Sequence, residues 1–277
     1  MKKLFLSGCV FGALIISAAA ADMPLKAVPN VPPAWTGLYA GLNAGYADLQ
    51  SSAYPVASGT PDAALGMPPG VSDGLAVLSS RTIPLGSGAG FAGGGQIGYN
   101  LQFNRLLVGG IEADIQGVAG RNSGSITTGS FVLGVPITTT QTAKVSTTYL
   151  GTVRGRLGIL LTPSWLIYAT GGLAYGGSTL DTTLVQSGAN GLPPNFVGAS
   201  TGSFSDTRLG GAFGGGLEWM FAPHWTTKVE YLHYDLGTMS GSSPATSGFF
   251  LTPVYQNVLS SSHIQGNLVR VGVNYIF

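Results

Sequence analysis

Glu112, Asp114, Glu218 and Glu230, with Arg154, Arg156, Arg208, Lys228 and Arg270, are the side chains whose types and spacing could do chemistry. Within a segment they stand two residues apart, as in Glu112/Asp114, Arg154/Arg156 and Lys228/Glu230, with small or apolar residues between. Successive side chains of an extended chain point to opposite faces, so the charges of each segment share one face and the apolar residues take the other. Four negative groups against five positive ones can pair if that face is enclosed, giving a salt-bridged, hydrogen-bonded filling. The sharper alternative is a narrow gated passage whose selectivity these residues set. Turned toward hydrocarbon, each Arg or Lys would cost about 2–4 kcal/mol near the midplane.

Other reactive groups are sparse. The histidines are His224, His233 and His263. His263 follows Ser260, Ser261 and Ser262, but no acid lies near in sequence, so a serine–histidine–acid hydrolase is not expected. His224 stands in a tight turn without an evident partner. HExxH, CxxC and phosphate-loop patterns are absent. Gly93–Gly95 and Gly214–Gly216 lie inside strand-like stretches, where they permit curvature and close strand approach rather than cradle a phosphate. No catalytic residue, metal or cofactor is expected.

Eight strand-like stretches would hold the charges, at roughly 36–47, 88–102, 105–118, 145–161, 165–177, 206–221, 225–237 and 264–277. Their apolar faces are plain. Leu107, Ile111, Ala113 and Ile115 oppose Glu112 and Asp114. Tyr149, Val153, Leu157 and Ile159 oppose Arg154 and Arg156, and Leu209, Phe213, Leu217, Trp219 and Phe221 oppose Arg208 and Glu218. Tight turns at Asn104-Arg105, Thr162–Ser164 and Ala222–His224 alternate with loops of about 40, 26, 28 and 26 residues. Short turns on one side and long loops on the other suit a membrane barrel, whereas loops beyond ~12–15 residues are uncommon in compact soluble domains. The expected fold is therefore all-β: an eight-stranded antiparallel up-and-down transmembrane β-barrel over 35–277, with short periplasmic turns and four long extracellular loops. Gly95, Gly155 and Gly215 each precede a tight turn at equal spacing, as an internal repeat would.

Trp35, Trp165, Trp219 and Trp225 all fall at the short-turn rim and are expected to form an interfacial girdle. The seventh strand breaks parity. Lys228 and Glu230 share a face, but continuing the count turns Leu232, Tyr234 and Leu236 inward, and a β-bulge near Tyr231–Leu232 is expected to repair this. The last stretch alternates Val269, Val271, Val273, Tyr275 and Phe277 against Arg270, Gly272 and Asn274, as a strand closing the sheet would.

Charged residues make up 8% of the 277, far below the roughly 25% of a soluble domain, and the net charge of +1 leaves no footprint for nucleic acid. Lys2 and Lys3, an apolar run from Leu4 to Ile16 and Ser17–Ala21 predict a cleaved signal peptide over 1–21. The only cysteine, Cys9, lies within it, so no disulfide is expected. Residues 22–34 hold four prolines and read as a periplasmic linker.

Several segments carry a family resemblance. They are Ala21–Lys26, Trp35-Thr-Gly-Leu-Tyr-Ala-Gly-Leu-Asn-Ala-Gly-Tyr46, Val153-Arg-Gly-Arg-Leu-Gly158, Tyr168–Gly176, Val229-Glu-Tyr-Leu232 and the terminal Val271–Phe277. Together they resemble the small outer-membrane β-barrel proteins of alphaproteobacteria, the porin family or outer-membrane immunogenic proteins, related to OmpA/OmpX- and opacity-type barrels. The resemblance implies the outer membrane of a Gram-negative bacterium and a role in envelope structure or surface contact. Implied partners are outer-membrane lipid, lipopolysaccharide, a host or surface ligand, and the barrel-assembly machinery, which would read Tyr275 and Phe277. Three rival readings stand beside it: a small diffusion porin, a lipid-modifying enzyme and, as the resemblance implies for some relatives, a haem receptor. Only His263 with Tyr255 could suggest haem.

Overall fold

The computed structural model describes residues 35–59, 80–86, 88–132, 134–188, 196–249 and 252–277. The expected signal peptide and linker lie outside the described residues. The strands are β1 (Gly37–Gly59), β2 (Ile83–Pro84), β3 (Gly88–Gln102), β4 (Leu107–Val132), β5 (Val135–Thr162), β6 (Trp165–Gly188), β7 (Phe196–Ala222), β8 (Trp225–Phe249) and β9 (Thr252–Ile276). Every pairing is antiparallel, each long strand lying beside the next long strand of the chain, and β1 pairs with β9 from Tyr39↔Ile276 to Gly59↔Gln256, which closes the ring. The two-residue β2 pairs with β1 beyond the end of β3.

The ring places apolar side chains outside. Leu42, Phe91, Ile111, Leu157, Leu173, Leu209 and Phe213 are all exposed, while Gln96, Glu112, Arg154, Glu218 and Arg270 are buried. That is the inverse of a water-soluble fold, and it suits a wall bathed in acyl chains. The long strands run to 28 residues, well beyond the ~9–11 that a tilted strand needs to span a bilayer. Three stretches read from sequence as long loops are therefore extensions of the wall: β4 and β5 stay paired up to Val132↔Val135, β6 and β7 up to Gly188↔Phe196, and β8 and β9 up to Phe249↔Thr252. Gly134, in the first of these reversals, has a φ of 78°, a conformation that costs a side-chain-bearing residue more than glycine. The extension stands at the end of the ring opposite the short turns, the end that faces outward where such a ring spans an outer membrane.

From Gly211 to Ala199 the pairing of β7 with β8 is interrupted, and three register shifts mark the join between membrane wall and extension: Gly117/Gly120, Thr147/Tyr149 and Asp235/Thr238. The bulge expected near Tyr231–Leu232 is instead the last of these, around Gly237 at φ 73°. Parity runs unbroken through β8 below it, so Leu232, Tyr234 and Leu236 do point inward and are buried.

A buried ionic cluster in the barrel lumen

The strand ladder brings opposite charges face to face. Glu112 is directly across from Arg154, Glu230 from Arg270, and Glu218 from Lys228. Because their faces are turned inward, the pairs from β4–β5, β7–β8 and β8–β9 converge on the axis. Arg154 donates through Nη2 to Glu112 Oε1 at 2.6 Å and Asp114 Oδ2 at 2.9 Å, and through Nη1 to Glu230 Oε1 at 3.1 Å. Arg270 donates through Nε to Glu230 Oε2 at 2.7 Å and through Nη2 to Asp114 Oδ2 at 2.9 Å. Lys228 Nζ lies 2.7 Å from Glu112 Oε2. Arg156 bonds to Glu218 and lies 4.1 Å from the centre of the Tyr168 ring.

Neutral donors add to the cluster, although Asp114 Oδ1 and Gln116 Nε2 are left without a partner among the described residues. Tyr39 donates to Glu112, Tyr168 to Glu230, Thr152 to Asp114, and Thr226 and Asn274 to Glu218. The carboxylates thus accept from several donors each, which a buried charge requires. Thr152 shares the polar face that sequence assigns to Arg154 and Arg156, whereas Tyr39 and Tyr168 were not singled out from sequence. Their inward parity was the available signal.

Arg208 does not join. Its side chain is partly exposed, pairs with Asp206 at 3.3 Å and donates through Nη2 to the carbonyl of Thr238 at 2.5 Å. It sits four residues beyond Ala212, the residue that the ladder sets level with Gly172 and Arg154. Without it the described residues place Glu112, Asp114, Glu218 and Glu230 in the lumen against Arg154, Arg156, Lys228 and Arg270, four against four, and these charges balance.

Two apolar layers bracket the cluster. Toward the short turns lie Trp35, Tyr39, Val108, Leu160, Leu166, Tyr168, Met220 and Ile276. Toward the extension lies a larger layer that includes Leu49, Leu150, Leu180, Leu232, Tyr234, Leu236, Ile264 and Leu268. Trp35 therefore belongs to the inner seal and not to the girdle. It is fully buried, and its indole N–H donates to the carbonyl of Pro163 at 3.0 Å. Trp165, Trp219 and Trp225 face outward; Trp165 stacks on Trp219 at 5.5 Å, and Trp225 meets Tyr275 edge-on at 5.1 Å. Tyr275 in turn packs against Phe277.

Over residues 9–277 the chain matches the model of the outer membrane protein beta-barrel domain. The chain belongs to this family of outer-membrane β-barrels. It is 34% identical to the 31 kDa outer-membrane immunogenic proteins of Brucella melitensis biotype 1 and Brucella suis biovar 1, over the whole length of both chains. Among solved structures it is similar to the outer membrane protein OprG of Pseudomonas aeruginosa, at 13% identity, with 90% of this chain and 100% of that chain covered and a TM-score of 0.37. As a member of the family, the protein is placed in the outer membrane of a Gram-negative bacterium.

The histidines of this family member have partners that spacing alone did not reveal. His224 has a φ of 69°; its Nδ1 lies 2.8 Å from the carbonyl of Ile276, whose N–H donates back to the His224 carbonyl at 2.7 Å. That turn clamps the end of β9. His263 does have an acid, Asp235, brought from β8 to 3.4 Å from Nε2, while Nδ1 meets Thr238. Ser260 and Ser262 face the lumen and are buried, whereas Ser261 shares the outer face with His263 and donates its hydroxyl to the Tyr54 carbonyl at 3.2 Å. Tyr255 lies outside the residues whose side chains are described.

We expect removal of Phe277, which packs on Tyr275 and whose N–H donates to the Leu38 carbonyl, to leave export across the inner membrane intact. Folded barrel in the outer membrane, scored by heat-modifiable mobility, should fall several-fold. An unchanged yield would remove any assembly role from the terminal aromatic.

Proposed function

We propose that the protein is a non-enzymatic, closed barrel that contributes to envelope integrity and presents its extension for surface contact. One observation carries this reading: a neutral, hydrogen-bonded ionic cluster lies between two apolar layers. A hydrated ion crossing the lumen would have to break paired charges and then cross two layers with few polar groups. An eight-stranded ring leaves room for little besides side chains. The layers support closure better than a gate, because opening the cluster alone would leave both seals in place.

The test is planar-bilayer recording of the refolded monomer. The expected result is silence for the wild-type chain and for Lys228→Met, which loosens only the cluster. Stable unitary steps from the wild-type monomer would replace this reading with that of a small diffusion porin. For the enzymatic reading, the outer face offers His263 with Asp235 and Thr238. Hydrolysis of phospholipid by the purified barrel, lost in His263→Ala, would establish it.

A further inference from the structure

We propose that the outer wall of the extension carries a saccharide-binding cleft, built by β1 and β9 around Tyr54 and His263. The cleft has a volume of about 410 Å³, with Gln50, Ser52, Tyr54, His263 and Gln265 along it and Leu85 at its far side. Strand register makes it a continuous strip. Gln50 is directly across from Gln265, Ser52 from His263, and Tyr54 from Ser261.

The lining chemistry selects the ligand. Carboxamides and hydroxyls each offer both donors and acceptors, as sugar hydroxyls do. No carboxylate, lysine or arginine lines the cleft among the described residues, and its one ionisable group, the imidazole of His263, stands against Asp235, so the lining favours a neutral ligand over a phosphate. Tyr54 is 47% exposed and presents a ring on which the C–H face of a pyranose can lie. His263 has Asp235 at 3.4 Å from one ring nitrogen and Thr238 at 3.3 Å from the other, which orients its imidazole along the cleft. Gln50 is held through Nε2 by Asp48 at 3.1 Å. Groups fixed before binding lose less entropy when a ligand arrives.

The position fits the same chemistry. Four residues below Gln50 on β1 is the exposed Tyr46, and four below Gln265 on β9 is the exposed Val269. The cleft therefore opens just beyond the apolar band, at the height where headgroup sugars of the outer leaflet stand. The shared chemistry is an uncharged sugar ring. It could come from the core oligosaccharide of the cell's own lipopolysaccharide or from a glycan on another cell.

Calorimetric titration of the refolded full barrel in micelles separates the two sources. One arm uses dephosphorylated core oligosaccharide released from lipopolysaccharide, the other the neutral tetrasaccharide lacto-N-tetraose. Binding of the first assigns the cleft to the cell's own envelope, and binding of the second assigns it to a foreign surface. In either case Tyr54→Ala and His263→Ala should each weaken binding by about tenfold, and Tyr54→Phe should keep it, because the ring and not the hydroxyl carries the contact. Retained heat-modifiable mobility shows that each variant is folded, and two separate variants guard against the loss of one. No binding of either sugar to the wild-type chain, or undiminished binding to both alanine variants, would overturn the proposal. Bilayer conductance does not enter, so failure here leaves the closed-lumen reading standing.

Discussion

Replacing Glu112 with alanine is expected to lower the folding stability of the barrel by about 3–5 kcal/mol. Glu112 accepts from Arg154, Lys228 and Tyr39, and Arg270 and Arg156 lie within 3.4 and 3.7 Å. Its removal turns a balanced set into three negative groups against four positive ones, all buried. The penalty comes from stranded cations more than from the lost bonds, since a buried pair as a whole contributes little net stability. Glu112→Gln, which keeps a hydrogen-bond acceptor but not the charge, should fall between. Arg208→Ala is the control. It removes a partly exposed ion pair outside the cluster and should change stability by about 0–1 kcal/mol. Reversible urea unfolding in lipid vesicles reads all three. Equal, small losses for Glu112→Ala and Arg208→Ala would mean that water reaches the cluster.

Leu236→Ala is expected to cost about 2–5 kcal/mol, because a fully buried leucine in a packed layer leaves a cavity as well as losing its transfer energy. Leu209→Ala, on a side chain 76% exposed on the outer wall, should cost less, since acyl chains can close over the gap. The comparison is sensitive to direction. If the inner and outer faces were exchanged, the order of the two losses would reverse. The same unfolding measurement decides it, with tryptophan emission as the signal.

The direction of each strand's faces was legible because charge and alternation agree. Arg154 and Arg156 cannot share a face with Val153 and Leu157, and the structure keeps them apart. What parity cannot encode is height. Arg208 has the inward parity of Glu218, yet strand stagger lifts it above the cluster and out to Asp206, and stagger is a property of the closed ring, not of one strand. Trp35 was misplaced for a different reason. Its position at a rim suggested an interface, but it shares parity with Tyr39 and Asn43 against the exposed Leu38 and Leu42, and that signal pointed inward.

The extension was hidden by composition. Residues 120–148 are rich in Ser, Thr and Gly, which resembles loop chemistry. Threonine is also a good strand former, and Ile137, Ala143 and Val145 keep an alternating buried face there. Outside the bilayer the wall needs no apolar exterior, so the usual contrast between faces fades. The partners of His224 and His263 come from β9 and β8, 52 and 28 residues away in sequence, and only closure of the sheet brings them together.

The account depends on the outer face of each strand meeting lipid while the inner face meets neither lipid nor water. Single spin labels walked along β9 from Val269 to Val273, in a chain that begins at residue 22 and so contains no other cysteine, reconstituted into vesicles, test this most directly. The expected result is alternation: labels at 269, 271 and 273 collide freely with membrane-dissolved oxygen, and labels at 270 and 272 are shielded from both oxygen and a water-soluble nickel complex. Uniform oxygen accessibility along the five positions, or strong nickel accessibility at 270 and 272, would contradict it.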